Sequence, residues 1–215
     1  MKQATSPRTE RARAILDAAE AILTEEGYEA LSARAVAERA NVNKALVFYY
    51  WGSTAELFER VLERYYERHK AALLEAFHYE EPIETRLHRG IDGYLDFMER
   101  NDAYARLVQQ QVAASGPHLA LVRRHLGELL QTTTDLLGPL TPASGPLSAK
   151  HFHLSLSAAV INYFTYAPVL GDESWGQDPL SKAALEERRA HLHWIVDAWL
   201  KALGTSSYLE SEATP

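Results

Sequence analysis

Residues 32–51 read SARAVAERANVNKALVFYYW. Ser32 stands where its hydroxyl can accept a hydrogen bond from a free N–H of a first short helix. Val36, Ala37 and Ala40 give that helix one apolar face. Ala40-Asn41-Val42 forms the turn, because asparagine enters the left-handed region at low cost. Asn43 caps a second helix. On that helix Leu46, Val47 and Tyr50 face inward, while Lys44, Ala45, Phe48 and Tyr49 point away. A short helix presented by a tight turn is a way of placing side chains in a DNA major groove. Taken alone, the stretch fits an ordinary core helix pair equally well.

The flanks separate the two. Upstream, Ile15, Ala18, Ala19, Ile22 and Leu23 recur at the spacing of an amphipathic helix, and Gly27 follows at its carboxy end. Downstream, Ser53-Thr54-Ala55-Glu56 has the pattern of a capping box. It opens a long helix with Leu57, Phe58, Val61, Leu62 and Tyr65 on one side.

From Ile15 to Leu62 the chain reads ILDAAEAILTEEGYEALSARAVAERANVNKALVFYYWGSTAELFERVL. This order of helix, glycine-aromatic pair, helix, turn, helix, aromatic block and capped fourth helix resembles the tetracycline-repressor (TetR) family of bacterial transcription regulators. It runs without a gap over about a quarter of the chain. The resemblance implies an all-α protein with an amino-terminal helix-turn-helix DNA-binding domain and a carboxy-terminal helical domain for ligand binding and dimerisation. The chain departs from the family's usual residues at Ala45 (glycine), Thr54 (lysine) and Phe48 (tyrosine). The candidate DNA contacts are Ser32, Arg34, Asn43 and Lys44, then Ala45, Leu46, Phe48, Tyr49 and Thr54. Of these, Ala45, Leu46 and Tyr49 match family positions at or beside base edges.

Composition is that of a soluble globular protein: 215 residues, 47% hydrophobic and 24% charged. The absence of cysteine excludes a disulfide framework, a cysteine nucleophile and a thiolate metal site. The start, MKQATSPRTERAR, lacks the apolar core of a secretory signal, so a cytoplasmic protein is expected. Net charge is −7, which opposes nucleic-acid binding, yet residues 1–53 carry seven basic and seven acidic side chains. All the excess acidity lies beyond the candidate DNA module. Arg8, Arg11 and Arg13 cluster just before or within the first helix, where they can reach a phosphate backbone or remain solvated.

The DNA domain is expected over 1–53, the ligand and dimer domain over 54–205, and a tail over 206–215. After a mobile segment to residue 8, helices are expected at 9–26, 33–39, 44–50, 54–77, 83–100 and 103–114. A seventh follows to about 137. Gly138–Leu147 reads as a loop. Residues 148–170 are apolar on most faces, which predicts burial all round. His151, His153, Asn162 and Pro168 make that segment a poor membrane span. A last helix is expected at 181–203, ended by Gly204.

The second domain holds more aromatics than a minimal helical core needs. Tyr66, Tyr94, Phe97 and Tyr104, with Phe152, Tyr163 and Tyr166, are candidates for lining a cavity between helices; His88 and Asn162 are candidate orienting groups. For any one of them taken alone, plain core packing is the favoured reading. The two apolar carboxy-terminal helices predict a homodimer through Phe164, Leu192, Ile195, Val196 and Trp199. The His151/His153 and His191/His193 pairs sit at i, i+2 and so cannot chelate from one helix face, and no metal or cofactor is expected. There is no phosphate loop or nucleophile elbow, so no enzyme is expected either. The expected partners are a double-stranded DNA operator, a small aromatic or amphipathic effector and a second copy of the chain. The alternatives are a ligand-responsive activator and a helical ligand-binding protein without DNA binding.

Overall fold

The computed structural model describes residues 7–76 and 81–205. Residues 1–6, the expected tail over 206–215 and positions 77–80, where the sequence places the end of the fourth helix, lie outside the described residues. Within them the chain forms nine α-helices and no strand: α1 Pro7–Glu25, α2 Ala33–Arg39, α3 Lys44–Trp51, α4 Thr54–Ala76, α5 Ile83–Arg100, α6 Asp102–Ala113, α7 Leu119–Leu137, α8 Ala149–Trp175 and α9 Lys182–Thr205. The all-α class and the amino-terminal helix-turn-helix are as the sequence predicts.

α1, α2 and α3 close on the start of α4. Ile15, Ala19, Ile22 and Leu23 of α1, Val36 of α2 and Val47 of α3 meet Leu57, Phe58, Val61 and Leu62 of α4, all essentially removed from water. Each such large side chain contributes roughly 1.5–3 kcal/mol. Ion pairs pin the outer edges. Arg64 of α4 reaches Asp17 at 2.6 Å and also Glu20 on α1, and Arg68 reaches Glu20 at 2.7 Å. Arg39 of α2 reaches Glu25 at 2.7 Å. α4 therefore belongs to both halves: its first turns complete the amino-terminal core, and its later turns pack on α5 and α7.

α5 is the centre of the second half, lying against α4, α8 and α9, while α7 packs on α8. Asn101 ends α5 by donating from its side chain to the carbonyl of Phe97 at 2.8 Å, rather than capping α6. α9 is capped by Ser181, whose hydroxyl accepts from Ala184 N at 3.3 Å, and it runs through Gly204, where the sequence places its end.

α8 departs from expectation. Pro168 sits inside it, and Gly171 adopts φ +50° and ψ 168°, so the helix breaks there before a last turn to Trp175. Phe152, Val160 and Phe164 are buried, but Leu154, Tyr166 and Val169 face outward, Val169 at 77% exposure. The segment is thus not buried all round within one chain; its apolar excess lies on an uncovered face. Ala149–Gly171 is long and apolar enough to cross a membrane by length and composition, yet one of its faces is part of the helical core.

Candidate functional site

The helix-turn-helix is set by local hydrogen bonds. Ser32 Oγ accepts from Ala35 N at 3.1 Å, and Asn43 Oδ1 accepts from Ala45 N at 2.9 Å. Between the two caps Asn41 takes φ +52°, and Val42 N donates to Ala37 O at 2.9 Å. α3 then has a defined direction. Val47 is its buried anchor, with Leu46, Tyr50 and Trp51 packed partly against the core. Gly52 closes the helix at φ +66°, a conformation that favours glycine; an added Cβ would meet only the flexible end of the Glu56 side chain. Ser53 Oγ accepts from Glu56 N at 3.1 Å and starts α4.

Lys44, Ala45, Phe48 and Tyr49 are the residues α3 presents to solvent, Tyr49 at 64% exposure. Lys44 Nζ lies 5.8 Å from the centre of the Phe48 ring. The Arg8 guanidinium lies 5.6 Å from the centre of the Tyr49 ring, so α1 adds a cation to the exposed face of α3. Arg8 stands in the stretch read from sequence as a mobile segment, and its basic neighbours were the available signal. Arg34 is exposed and bonded to Glu38 at 2.8 Å, which holds its proton more firmly. Ser32 and Asn43 serve as caps. Leu46 and Thr54 are only partly exposed. The surface offered is one helix with a lysine at its amino end, two aromatic rings and an arginine, suited to phosphate and base edges.

The second candidate region lies between α4, α5, α7 and α8. A cavity of about 60 Å³ is lined by His69, Leu73, Ile91, Tyr94, Leu129, Thr133, Phe152, His153, Leu156 and Ser157, with Leu87 and Gly90. The His69 ring stacks on Tyr94 at 4.5 Å and on Phe97 at 5.1 Å. Its Nδ1 is buried without a hydrogen-bond partner, and the Tyr94 hydroxyl, beside Ser157, makes no bond of ordinary geometry. Burial, with a smaller contribution from His153, pushes the His69 pKa down to about 4; burial also lowers that of His153. The Thr133 hydroxyl donates to the Leu129 carbonyl, so at 2.9 Å it accepts from His153 Nδ1. The walls are therefore uncharged at neutral pH.

Of the expected lining residues, Tyr94 and Phe152 face this cavity. Phe97, Tyr66 and Tyr104 form the packed aromatic wall behind it, with Tyr66 and Tyr104 ring centres 5.4 Å apart. Burial pushes the Tyr66 hydroxyl up to about 12. The other candidates lie elsewhere. His88 is six positions from Tyr94 and leaves α5 on another side, toward α9. Asn162 is half-buried away from the cavity, and the Tyr163 hydroxyl donates to Pro179 O at 2.6 Å. Tyr166 is exposed. The orienting groups that do line it, His69, Thr133, His153 and Ser157, were missed because nothing local marks which face of α4, α7 or α8 turns inward.

The expected dimer contacts also divide. Phe164, Leu192 and Val196 are buried in the chain's own core and so cannot meet a second copy directly. Trp199 packs on Phe152 with the rings tilted by 32° and their centres 4.0 Å apart, and it and Ile195 are half-exposed. Trp194, at 63% exposure, is the large residue α9 offers outward.

Residues 15–61 match the family described as bacterial regulatory proteins, tetR family. The chain is 27% identical over 114 residues to the HTH-type transcriptional activator FasR of Mycolicibacterium smegmatis, covering 53% of this chain and 52% of that protein. It is 46% identical over 59 residues to the HTH-type transcriptional repressor KstR of the same species, covering 27% and 29%. The matched stretch thus spans about half the length of the first relative and less than a third of the second. Among solved structures, a TetR-family transcriptional regulator from Rhodococcus sp. shares the fold over 89% of this chain and 98% of its own, with a TM-score of 0.69 at 18% identity. The family match thus lies in the helix-turn-helix region, residues 15–61, and over the whole chain the likeness to this TetR-family regulator is one of fold.

Proposed function

We propose that the protein is a homodimeric DNA-binding transcription regulator whose grip on a palindromic operator is released by a small, uncharged ligand. The observation that carries this reading is the outward face of α3, with Lys44, Ala45, Phe48 and Tyr49 held by caps at both ends of the turn. The excess of acidic side chains falls beyond residue 53, so the module that carries that face has no net negative charge.

Two copies meet through the outward faces of α8 and α9, where Leu154, Tyr166, Val169 and Trp194 leave apolar surface in water. A dimer reads two half-sites about 34–36 Å apart only while its two α3 helices keep that spacing. The cavity beside α4 gives the ligand a means of changing it. At about 60 Å³ it holds roughly two waters at about 30 Å³ each, whereas ligand sites run to about 300–1,000 Å³. A ligand enters only by moving α5 or α8 against α4, and α4 carries the DNA module. Uncharged walls select a neutral, mostly apolar molecule with a hydroxyl or carbonyl for the His69 and His153 nitrogens. A coupling of about 1–3 kcal/mol per site is sufficient.

The direction of regulation has two readings, since the relatives include an activator and a repressor. Transcription from the target promoter with and without the protein separates them. DNA binding is tested by fluorescence anisotropy with a duplex from the region upstream of the protein's own gene, against a random duplex at two salt concentrations. Preferential binding that weakens with salt supports the reading, and no binding to either duplex at low salt rejects it.

A further inference from the structure

On the side of α5 facing α9, away from the ligand cavity, four titratable side chains form an ordered chain. Asp92 Oδ1 lies 2.9 Å from His193 Nε2, His193 Nδ1 lies 2.5 Å from His88 Nδ1, and His88 Nε2 lies 2.9 Å from Asp197 Oδ1. The same Asp92 Oδ1 also accepts from Arg189 at 2.7 Å. Three contacts use all four ring nitrogens. As hydrogen bonds they require three N–H protons, one more than two neutral imidazoles carry. One of the three contacts is therefore open to a metal ion in the place of a proton.

A metal ion fits that place. Glu84, one turn before His88 on α5, brings a carboxylate oxygen within 4.8 Å of the His88 and Asp197 donor atoms. Oxygen and nitrogen donors on one tetrahedral Zn²⁺, each about 2.0–2.2 Å from it, stand roughly 3.3 Å apart. Closing the triad is a matter of side-chain rotation. With the metal on His88 Nε2, the extra proton is unnecessary: His88 Nδ1–H donates to His193 Nδ1, and His193 Nε2–H donates to Asp92. That is the usual outer support of a metal-bound histidine, a donor chain ending on a carboxylate. An open recess lined by Glu84, Thr85, His88, Arg89 and Asp92 gives access for the ion and for water ligands. Sequence spacing hides the site, because its donors are an i, i+4 pair on α5 and one residue of α9.

We propose that Glu84, His88 and Asp197 bind a divalent first-row transition metal ion, with His193 and Asp92 positioning His88, and that the ion staples α5 to α9. One imidazole and two carboxylates without sulfur suit Zn²⁺ and its neighbours rather than Cu(I). The test is isothermal titration of the chelator-treated full-length chain with ZnCl₂, alongside thermal unfolding with and without the ion. The wild type should take up one Zn²⁺ per chain and gain in unfolding temperature. His88→Gln and Asp197→Asn should each abolish that uptake and that gain. His193→Gln, which removes no ligand atom, should weaken binding about 10–100-fold. His191→Gln, outside the cluster, should bind as the wild type does. Asp197 is half-exposed, so its variant retains the fold, and circular dichroism checks the helical content of each. No saturable binding by the wild type, or Zn²⁺ binding unchanged in both His88→Gln and Asp197→Asn, overturns the assignment. Unchanged affinity in His193→Gln overturns the positioning chain.

Discussion

Tyr28 and His118, ninety positions apart, meet where the two halves of the protein join: the Tyr28 hydroxyl lies 3.4 Å from His118 Nε2. Tyr28 belongs to the short 3₁₀ turn after α1, and His118 stands at the amino end of α7. The His118 ring is 2% exposed, lies 4.7 Å from Phe58 of α4 and donates from Nδ1 to Glu59 of α4 at 2.9 Å. A single side chain thus ties the turn after α1, α4 and α7 together.

That junction should be measurable as a coupling. Tyr28→Phe removes the long hydrogen bond and leaves the ring contacts. His118→Phe removes both polar links. In a double-mutant cycle read by urea unfolding, the pair should show an interaction of about 0.5–1.5 kcal/mol. Strict additivity would mean that the contact carries no energy between the domains.

Acid should destabilise the protein through the cavity histidines. His69 has a folded pKa of about 4, below its unfolded value of about 6.5, because burial disfavours the charged ring. The unfolded chain then binds the proton that the folded chain refuses. Stability from this group is full above about pH 6.5 and falls as pH drops toward 4, by up to about 3 kcal/mol. His153, lowered in the same direction, acts in the same sense. Urea midpoints at pH 7 and pH 5 check this: His69→Phe should reduce the difference, and an unaltered difference would exclude His69 as its source.

Residues on either side of the α9 surface should respond differently to substitution. Leu192 is fully buried within the chain, so Leu192→Ala should cost about 2–5 kcal/mol of folding stability. Trp194 is exposed, and Trp194→Glu should leave the protomer folded but yield monomers in analytical ultracentrifugation and weaken operator binding with them. A stable Trp194→Glu dimer would move the interface elsewhere.

What could be read in the sequence was what is decided locally. Ser32, Asn41, Asn43 and Ser53 take their roles from neighbours within four positions, and each occupies the expected cap or turn. The exposed and buried faces of α3 follow from the same spacing. Tertiary choices were not legible. Tyr94 and His88 share α5, yet one turns to α4 and the other to α9. Phe164 and Tyr166 are two positions apart on α8, and one is core while the other is surface. Both faces of these helices are apolar enough to be buried, and only the packing partners decide. The cavity's polar groups come from three helices distant in sequence, as do the paired histidines of α5 and α9.

Tyr49 and Lys44 should have separable roles. Tyr49→Ala should cost operator affinity about 1–3 kcal/mol more than random-DNA affinity if it meets base edges. Lys44→Ala should weaken both duplexes alike and reduce the salt slope by about one ion. Equal losses on both DNAs for Tyr49 would reassign it to the backbone.

The most direct measurement is a hydroxyl-radical footprint of the protein on the DNA upstream of its own gene, run beside the Lys44→Ala/Tyr49→Ala double variant. The account predicts two protected half-sites related by a dyad, centred about one helical turn or a small multiple apart, and absent for the double variant. A single unpaired footprint, or a two-part footprint that the double variant reproduces unchanged, would contradict an α3-reading dimer.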